Sequence, residues 1–428
     1  VDFEDVDFGY TKWTLSNGTE VYFKKTDLNE SQVLMSASSW GGYTKLNIND
    51  PKVMLNAKLA AQVRNSTGLG NFKATELQKA LAGKQVSVSI DIDEDSESLS
   101  GNSTPKDLRT LFEMVYLHFT APGNDPEAYQ NLINMTRTQL ENIEKVPEVA
   151  FSDSVQATVY NHDIRVKRTK AADLDLADYE MMKKIASERI NSPSDFKFIF
   201  TGNFDVDSLR EFSKVYLASI KKAKTPELRK DPEMNLAKGP KTNRFVREME
   251  TPKGNIVQLW HGLRPFTNEE AEVVNALGEI LSQRLLKSIR EDAGMAYSVQ
   301  SAAECNRMST DSYQLQVVCP FTPIKCDSVL MLVDADIDNI ARNGVTDEEL
   351  DIVRKYEHKR FTDNQRDNKY WQNLITSKVI WNCDQWTSFE SALDSVDSND
   401  VRNFIVKMKN DGNRATIIIL PDDFTENE

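Results

Sequence analysis

One segment of the chain combines residue types that can bind a peptide carbonyl. Residues 286–299 read LKSIREDAGMAYSV, which places Arg290 and Tyr297 seven positions apart. The apolar spacing upstream predicts a long helix, Glu269–Ile289, that turns at Gly294 and runs into a strand headed by Tyr297. A guanidinium and a phenol hydroxyl at such a junction can both donate hydrogen bonds to a carbonyl or a developing oxyanion.

The same two residues also fit a purely structural role. Arg290 would then interact with the carboxyl end of the helix, and Tyr297 would fill the core. Residue chemistry by itself favours this structural role, so the choice between the two depends on further observations.

Other kinds of catalytic site find little support in the residue pattern. Histidines do not occur at i,i+4 spacing, so no helix carries an HExxH or HxxEH zinc motif, and we expect His118, near a helix end, to be a partly buried core residue. There is no GxSxG, and Cys319 and Cys326 sit among apolar residues, where thiols are normally structural. Carboxylate pairs are expected to be solvated; they are Glu141 with Glu144, and Glu291 with Asp292.

Composition excludes further classes. The 428 residues include 66 Asp and Glu against 52 Lys and Arg, a net charge of −14, which argues against a nucleic-acid partner. No apolar stretch is long enough for a membrane span. The four cysteines form no CxxC and leave the compartment open. The chain begins at Val1, so we expect either a removed leader or a piece of a longer polypeptide.

The elements that position these residues occur in two similar series. Each half reads as strands, a helix, a strand pair, further helices and a last strand, which predicts an internal duplication of an α+β unit. In the first half the series includes helix Val53–Val63, paired strands Val86–Ile92 and Ser96–Ser100, and a helix over Leu174–Ile190. The charged, proline-containing stretch Lys221–Pro240 is the predicted linker, so the predicted domains are residues 1–225 and 226–428.

The segment Ile289–Val299 closely resembles a signature of the pitrilysin/insulinase family of zinc metallopeptidases. Leu15-Ser16-Asn17-Gly18, Gly41-Gly42, Leu117–Pro122 and Asn368–Trp371 extend the resemblance over nearly the whole chain, the last two to bacterial PqqL-like members. The resemblance implies two family domains, each a mainly antiparallel sheet packed with helices. It also implies that Arg290 and Tyr297 contact the backbone of a peptide substrate.

The chain departs from the family pattern where a catalytic domain would carry HxxEH. Ala61 and Asn65 stand at the two histidine positions and Arg64 at the glutamate. Alanine has no ligand atom, and the positive charge of arginine repels Zn²⁺. We therefore expect no metal in this chain, no catalytic residue of its own, and no peptide cleavage by it alone.

The resemblance implies a function for the chain as the third and fourth domains of a four-domain zinc metalloendopeptidase. An N-terminal half, on the same chain or a separate subunit, would bind zinc and activate water, and this half would supply substrate-binding and oxyanion-stabilising residues within an enclosed chamber. The alternative is a non-catalytic homologue that acts as a structural or peptide-presenting partner of a separate catalytic subunit. Family habit favours export to a bacterial periplasm; the peptide specificity, biological substrate and oligomeric state stay open.

Overall fold

A computed structural model of the protein describes residues 3–223, 236–307 and 311–422. The predicted boundary between residues 225 and 226 and most of the predicted linker Lys221–Pro240 lie outside these described residues. The chain forms two compact units, each built from three separate segments of sequence. The first comprises Val1–Glu141, Thr169–Pro232 and Thr362–Thr387, and the second Asn142–Arg168, Glu233–Phe361 and Ser388–Glu428.

Each unit contains one β-sheet. The first unit contains β1 (Phe3–Asp5), β2 (Tyr10–Thr14), β3 (Glu20–Lys25), β4 (Val33–Trp40), β5 (Val86–Ile92), β6 (Ser96–Ser103) and β7 (Lys197–Gly202). The second contains β8 (Pro240–Arg247), β9 (Gly254–Leu263), β10 (Gln300–Asn306), β11 (Ser312–Phe321) and β12 (Arg414–Pro421).

The helices are numbered along the whole chain. In the described residues they are α1 (Pro51–Ser66), α2 (Ala74–Ala80), α3 (Leu108–Thr120), α4 (Pro126–Ile143), α5 (Pro147–Val159), α6 (Tyr179–Arg189), α7 (Val206–Phe212), α8 (Asn268–Leu285), α9 (Cys326–Asn343), α10 (Asp347–Asn364), α11 (Asn368–Trp381), α12 (Phe389–Ser395) and α13 (Ser398–Asp411). None of them is both long and apolar enough to cross a bilayer.

Five strands of the first sheet, β3-β7-β4-β6-β5, have the same order as the five strands of the second sheet. The seven-stranded sheet runs β1-β2-β3-β7-β4-β6-β5, and the five-stranded sheet, read from its β8 end, runs β8-β12-β9-β11-β10. The pairs β3–β7 and β8–β12 are parallel, and every other pairing in the two sheets is antiparallel. The predicted fold class, two related α+β domains with mainly antiparallel sheets, is therefore confirmed.

Both faces of the first sheet are covered. On one face Phe112 of α3 stacks on Phe200 of β7, with 5.2 Å between the ring centroids. The neighbouring residue Ile199 points to the opposite face, because side chains alternate along a strand. There it forms a buried cluster with aromatic residues of β2 and β3 and with α11; the cluster is Phe8, Tyr10, Tyr22, Ile199, Trp371, Leu374 and Ile375.

The second sheet follows the same plan. Ile418 and Leu420 of β12 join the main core with α8, α9 and α13. Ile417 and Ile419 face the other way and pack with Phe151 of α5. Thus α5, from the first half of the sequence, belongs to the second unit, and α11, from the second half, belongs to the first.

Several predicted boundaries are wrong. The helix predicted over Leu174–Ile190 begins only at Tyr179, because the carboxylate of Asp178 accepts the N–H of Met181 and caps it there. The strand expected to start at Tyr297 begins at Gln300. Helices α5, α12 and α13 have no counterpart in the sequence prediction.

Candidate functional site

Arg290 lies on an extension of α8. This helix passes into a π-helical turn, Leu286–Asp292. Leu285 and Ile289 are completely buried in the core of the second unit, so they fix the rotation of the turn. Arg290, the next residue, is consequently held on the exposed side. The hydroxyl of Ser288 donates a 2.8 Å hydrogen bond to Asp336 Oδ2 of α9, which ties the same turn to a second helix.

Gly294 ends the turn and reverses the chain. Its φ is +59°, in the left-handed region that glycine adopts without steric cost. The N–H of Gly294 donates to the carbonyl of Arg290 at 3.2 Å, and the N–H of Met295 donates to that of Ile289 at 2.9 Å. The residues after the turn are therefore hydrogen-bonded back to the helix that carries Arg290.

Tyr297 lies beside the end of β11. Ala296 forms an isolated antiparallel bridge with Phe321, and the N–H of Thr322 donates to the carbonyl of Met295 at 3.2 Å. These contacts hold the backbone on both sides of the bridge while the side chain of Tyr297 stays 87% exposed. The core-filling role for Tyr297, which the residue types had favoured, is wrong.

The structure brings the two predicted residues together. The guanidinium carbon of Arg290 lies over the ring of Tyr297, 5.9 Å from its centroid, within the range of a cation–π contact. The guanidinium has five N–H donors and the phenol one O–H donor. Two exposed groups in contact can thus present donors to one peptide carbonyl or to two adjacent ones.

The positions predicted to correspond to a degenerate zinc motif lie in the last turns of α1. Ala61 is buried and offers only a methyl group. Arg64 is 6% exposed; it donates a hydrogen bond from Nη2 to the carbonyl of His118 and another, 3.4 Å long, from Nη1 to Ser187 Oγ. Desolvation lowers the pKa of Arg64 to about 10, which leaves it cationic at neutral pH.

His118 is the histidine nearest to these positions in the structure. It is 2% exposed, and burial, followed by the nearby Arg64 cation, lowers its pKa to about 3, against a smaller opposing effect of the Val88 backbone. The predicted core role of His118 is confirmed, and the residue is neutral at physiological pH.

Asn65 is engaged with the sheet. Its Nδ2 donates to the carbonyl of Ile90 at 2.8 Å, and its Oδ1 accepts the N–H of Ile90 at 2.9 Å. Ala61 offers only a methyl group, Arg64 is a cation, and the amide of Asn65 is already hydrogen-bonded to Ile90. These positions therefore do not fit Zn²⁺. Within residues 3–223, 236–307 and 311–422, no three His, Cys, Asp or Glu side chains are grouped so as to hold a metal ion.

Part of the chain matches a known family. The sequence profile of the Peptidase M16 inactive domain matches residues 184–356, fewer than half of the 428 residues. This confirms the resemblance to the pitrilysin/insulinase family that the segment around Arg290 and Tyr297 had predicted.

Two curated proteins that are similar to this chain are named zinc proteases. The Arabidopsis thaliana protein "Zinc protease PQQL-like" is 24% identical over 385 residues, covering 86% of this chain and 37% of its own length. "Probable zinc protease PqqL" of Haemophilus influenzae is 22% identical over 360 residues, covering 83% of this chain and 37% of the relative. The chain therefore spans little more than a third of the length of these relatives.

A solved structure shows the same fold. The crystal structure of the periplasmic protease PqqL from Escherichia coli superposes with a TM-score of 0.81 at 20% sequence identity. The match covers 99% of this chain and 48% of that chain.

The sequence analysis did not predict one buried acidic group. The pairs Glu141/Glu144 and Glu291/Asp292 are exposed, as expected. Glu357 of α10, in contrast, is 0% exposed, with a 2.6 Å ion pair to Arg360 as its partner. Its spacing from the buried residues Leu350, Val353 and Phe361 is the signal that could have found it, because all four lie on one helix face.

Glu357 affects a second acid, Glu272 of α8. Desolvation first, and the negative charge of Glu357 second, raise the pKa of Glu272 to about 7. Burial likewise raises the pKa of Glu357. Two acids with raised pKa values therefore lie near each other, Glu357 on α10 and Glu272 on α8, the helix that continues into the Arg290 turn.

Proposed function

We propose that this chain is the peptide-binding half, without zinc, of an M16 zinc protease. The observation that carries the proposal is the contact between Arg290 and Tyr297, two exposed donors held by a buried helix end and a strand bridge. Tyr and Arg are among the residue types that most often dominate binding at interfaces, and both can donate hydrogen bonds to a peptide backbone.

Each side chain has its own part in the proposed reaction. The guanidinium of Arg290 donates to a substrate carbonyl and fixes the register of the peptide. The hydroxyl of Tyr297 donates to the oxygen on which negative charge develops as the peptide bond is attacked. Neither group is basic enough to activate water, so the attacking water and its base come from elsewhere.

The metal chemistry is assigned to a different part of the enzyme. Because Ala61, Arg64 and Asn65 do not fit zinc, we place the zinc site in the half of the relatives that this chain does not span. The partner is thus an N-terminal catalytic half, on the same polypeptide or as a separate subunit, and the substrate is a peptide. The name of the Escherichia coli relative supports an exported, periplasmic location.

The experiment measures peptide cleavage by the protein that joins this chain to its zinc-binding half. We expect Tyr297→Phe to lower kcat/KM by about 100-fold, as removal of an oxyanion donor does. Arg290→Ala should lower it by about 10- to 100-fold, through loss of a charge-assisted hydrogen bond to the substrate. Lys287→Ala is the matched control, since Lys287 is an exposed cation on the same π-helical turn. It should leave kcat/KM within about twofold.

Unchanged turnover in both variants would contradict the proposal. It would favour the alternative, a non-catalytic homologue that supports or presents peptides to a separate subunit. An HxxEH motif on the same chain, upstream of Val1, would support the peptidase half.

A further inference from the structure

The outer strand of the first sheet, β5, is a potential site for pairing with another chain. It ends the order of the seven-stranded sheet, and β6 pairs with only one of its edges. In an antiparallel pair, alternate residues direct both backbone groups toward the partner or away from it. Because Ile90 bonds to a side chain outside the sheet, Val88, Ile90 and Ile92 form the outward set. Such an edge is a template for strand addition by an extended peptide.

At the centre of this edge the carboxamide of Asn65 takes the place of a peptide unit. It accepts the N–H of Ile90 at 2.9 Å and donates to the carbonyl of the same residue at 2.8 Å. An added antiparallel strand would make the same two bonds to Ile90. A strand can therefore pair here only by displacing Asn65.

A neighbouring outward group also bonds to a side chain. The N–H of Ile92 donates to Asp91 Oδ1 at 2.9 Å. Asn65 and Asp91 thus engage two successive outward positions of β5.

The equivalent strand of the second unit is closed in another way. β10 ends its sheet, and α8 lies against it so closely that a Cβ on Gly278 would lie 2.7 Å from the amide nitrogen of Ala303. The N–H of Ser301 donates to Ser282 Oγ of α8 at 3.3 Å. The second unit thus covers its edge strand with a closely packed helix and the hydroxyl of Ser282, whereas in the first unit the amide of Asn65 bonds to the edge strand.

We infer that Asn65 closes β5 to strand addition, so that the first unit excludes extended peptides along residues 88–92. This role of Asn65 does not depend on the proposed peptidase function, because it concerns only backbone groups and side chains of α1 and β5. It assigns a role to a residue that stands at a lost metal-ligand position.

The first test measures hydrogen exchange at the Ile90 amide in the full chain. We expect Asn65→Ala to accelerate this exchange about tenfold, because the amide loses its only acceptor in the described structure. Asn65→Asp keeps an acceptor for the Ile90 N–H but loses the donor to the Ile90 carbonyl, so its exchange should lie between those of Asn65→Ala and the unchanged protein, which separates a lost bond from a lost fold. Gln62→Ala, an exposed substitution on the same helix, should change nothing. Equal exchange in Asn65→Ala and the unchanged protein would overturn the inference.

The second test asks whether the edge opens. The probe is a fluorescent synthetic peptide with the β5 sequence VSVSIDI, titrated and followed by anisotropy. We expect saturable binding to Asn65→Ala and at least about tenfold weaker binding to the unchanged protein and to Gln62→Ala. Equal binding to all three proteins, or none to Asn65→Ala, would show that Asn65 does not control the edge.

Discussion

The guanidinium of Arg290 lies over the ring of Tyr297. The two residues are joined by a glycine turn that is hydrogen-bonded back to its own helix, so their relative position is determined by local backbone structure as well as by packing. Their side chains consequently restrict each other. The ring of Tyr297 therefore contributes to the orientation of Arg290 in addition to carrying a hydroxyl.

This relationship separates the effects of two substitutions at Tyr297. Tyr297→Phe removes the hydroxyl and keeps the surface on which Arg290 stacks, whereas Tyr297→Leu removes both. In the joined enzyme we expect Tyr297→Leu to lower kcat/KM about threefold further than Tyr297→Phe, the value of an exposed cation–π contact. In the Arg290→Ala background the two substitutions should have equal effects. A persistent difference there would show that the ring acts independently of Arg290.

Arg64 should stabilise the first unit through its volume and hydrogen bonds. We expect Arg64→Ala to lower the free energy of unfolding by about 2–4 kcal/mol, because it leaves a cavity and removes a donor from the His118 carbonyl. Arg64→Met fills the space without a buried charge and should cost less. Urea unfolding of both variants measures the difference, and equal losses would contradict this account.

The chain on its own should not retain zinc. After dialysis against a metal-free buffer, elemental analysis should find well below one equivalent, because the residues at 61, 64 and 65 offer no ligand set. One tightly held zinc per chain would contradict both this expectation and the proposed division of the active site.

His118 should make the protein sensitive to acid. Its pKa is lowered from 6.5 to about 3 in the folded state. Between these two pH values the unfolded chain binds a proton at His118 and the folded chain does not. The free energy of unfolding should therefore fall as the pH drops from about 6.5 toward 3, by at most about 1.4 kcal/mol per pH unit from this residue. His118→Gln should reduce that slope in urea unfolding. An unaltered slope would contradict the assignment.

Glu272 should act in the opposite direction. Its pKa is raised from 4.5 to about 7, so its folded form binds the proton more tightly, and the associated stability is present below 4.5 and lost as the pH rises through 7. Glu272→Gln should raise the free energy of unfolding at pH 8 by on the order of 2 kcal/mol and change it little at pH 4.5. The exposed Glu269→Gln on the same helix is the control.

Sequence periodicity predicted the elements whose two faces differ in burial. Val86–Ile92 was predicted with the observed bounds, because its residues alternate, and Arg290 and Tyr297 were recognised by type and spacing. The position of Tyr297 outside the strand was not predictable, since it depends on the bridge between Ala296 and Phe321, which are distant in sequence. The role of Asn65 depends in the same way on its contact with Ile90.

The local sequence pattern also could not predict which sheet each helix packs against. The apolar face of α11 predicts a buried helix, but it does not indicate which of two sheets will cover Trp371 and Ile375. Burial of α5 around Phe151 is equally non-local. The predicted domains, residues 1–225 and 226–428, describe the internal duplication in the sequence, and this division stays a prediction.

The assignment of α5 and α11 bears on the order of events during synthesis. After β7 ends at Gly202, the ribosome must add 179 residues before α11 ends at Trp381, which takes roughly 10–40 s at common elongation rates. Throughout that interval the aromatic side chains of Phe8, Tyr10 and Tyr22 lack their helical cover. The core of the first unit can therefore be completed only after residue 381 has been synthesised.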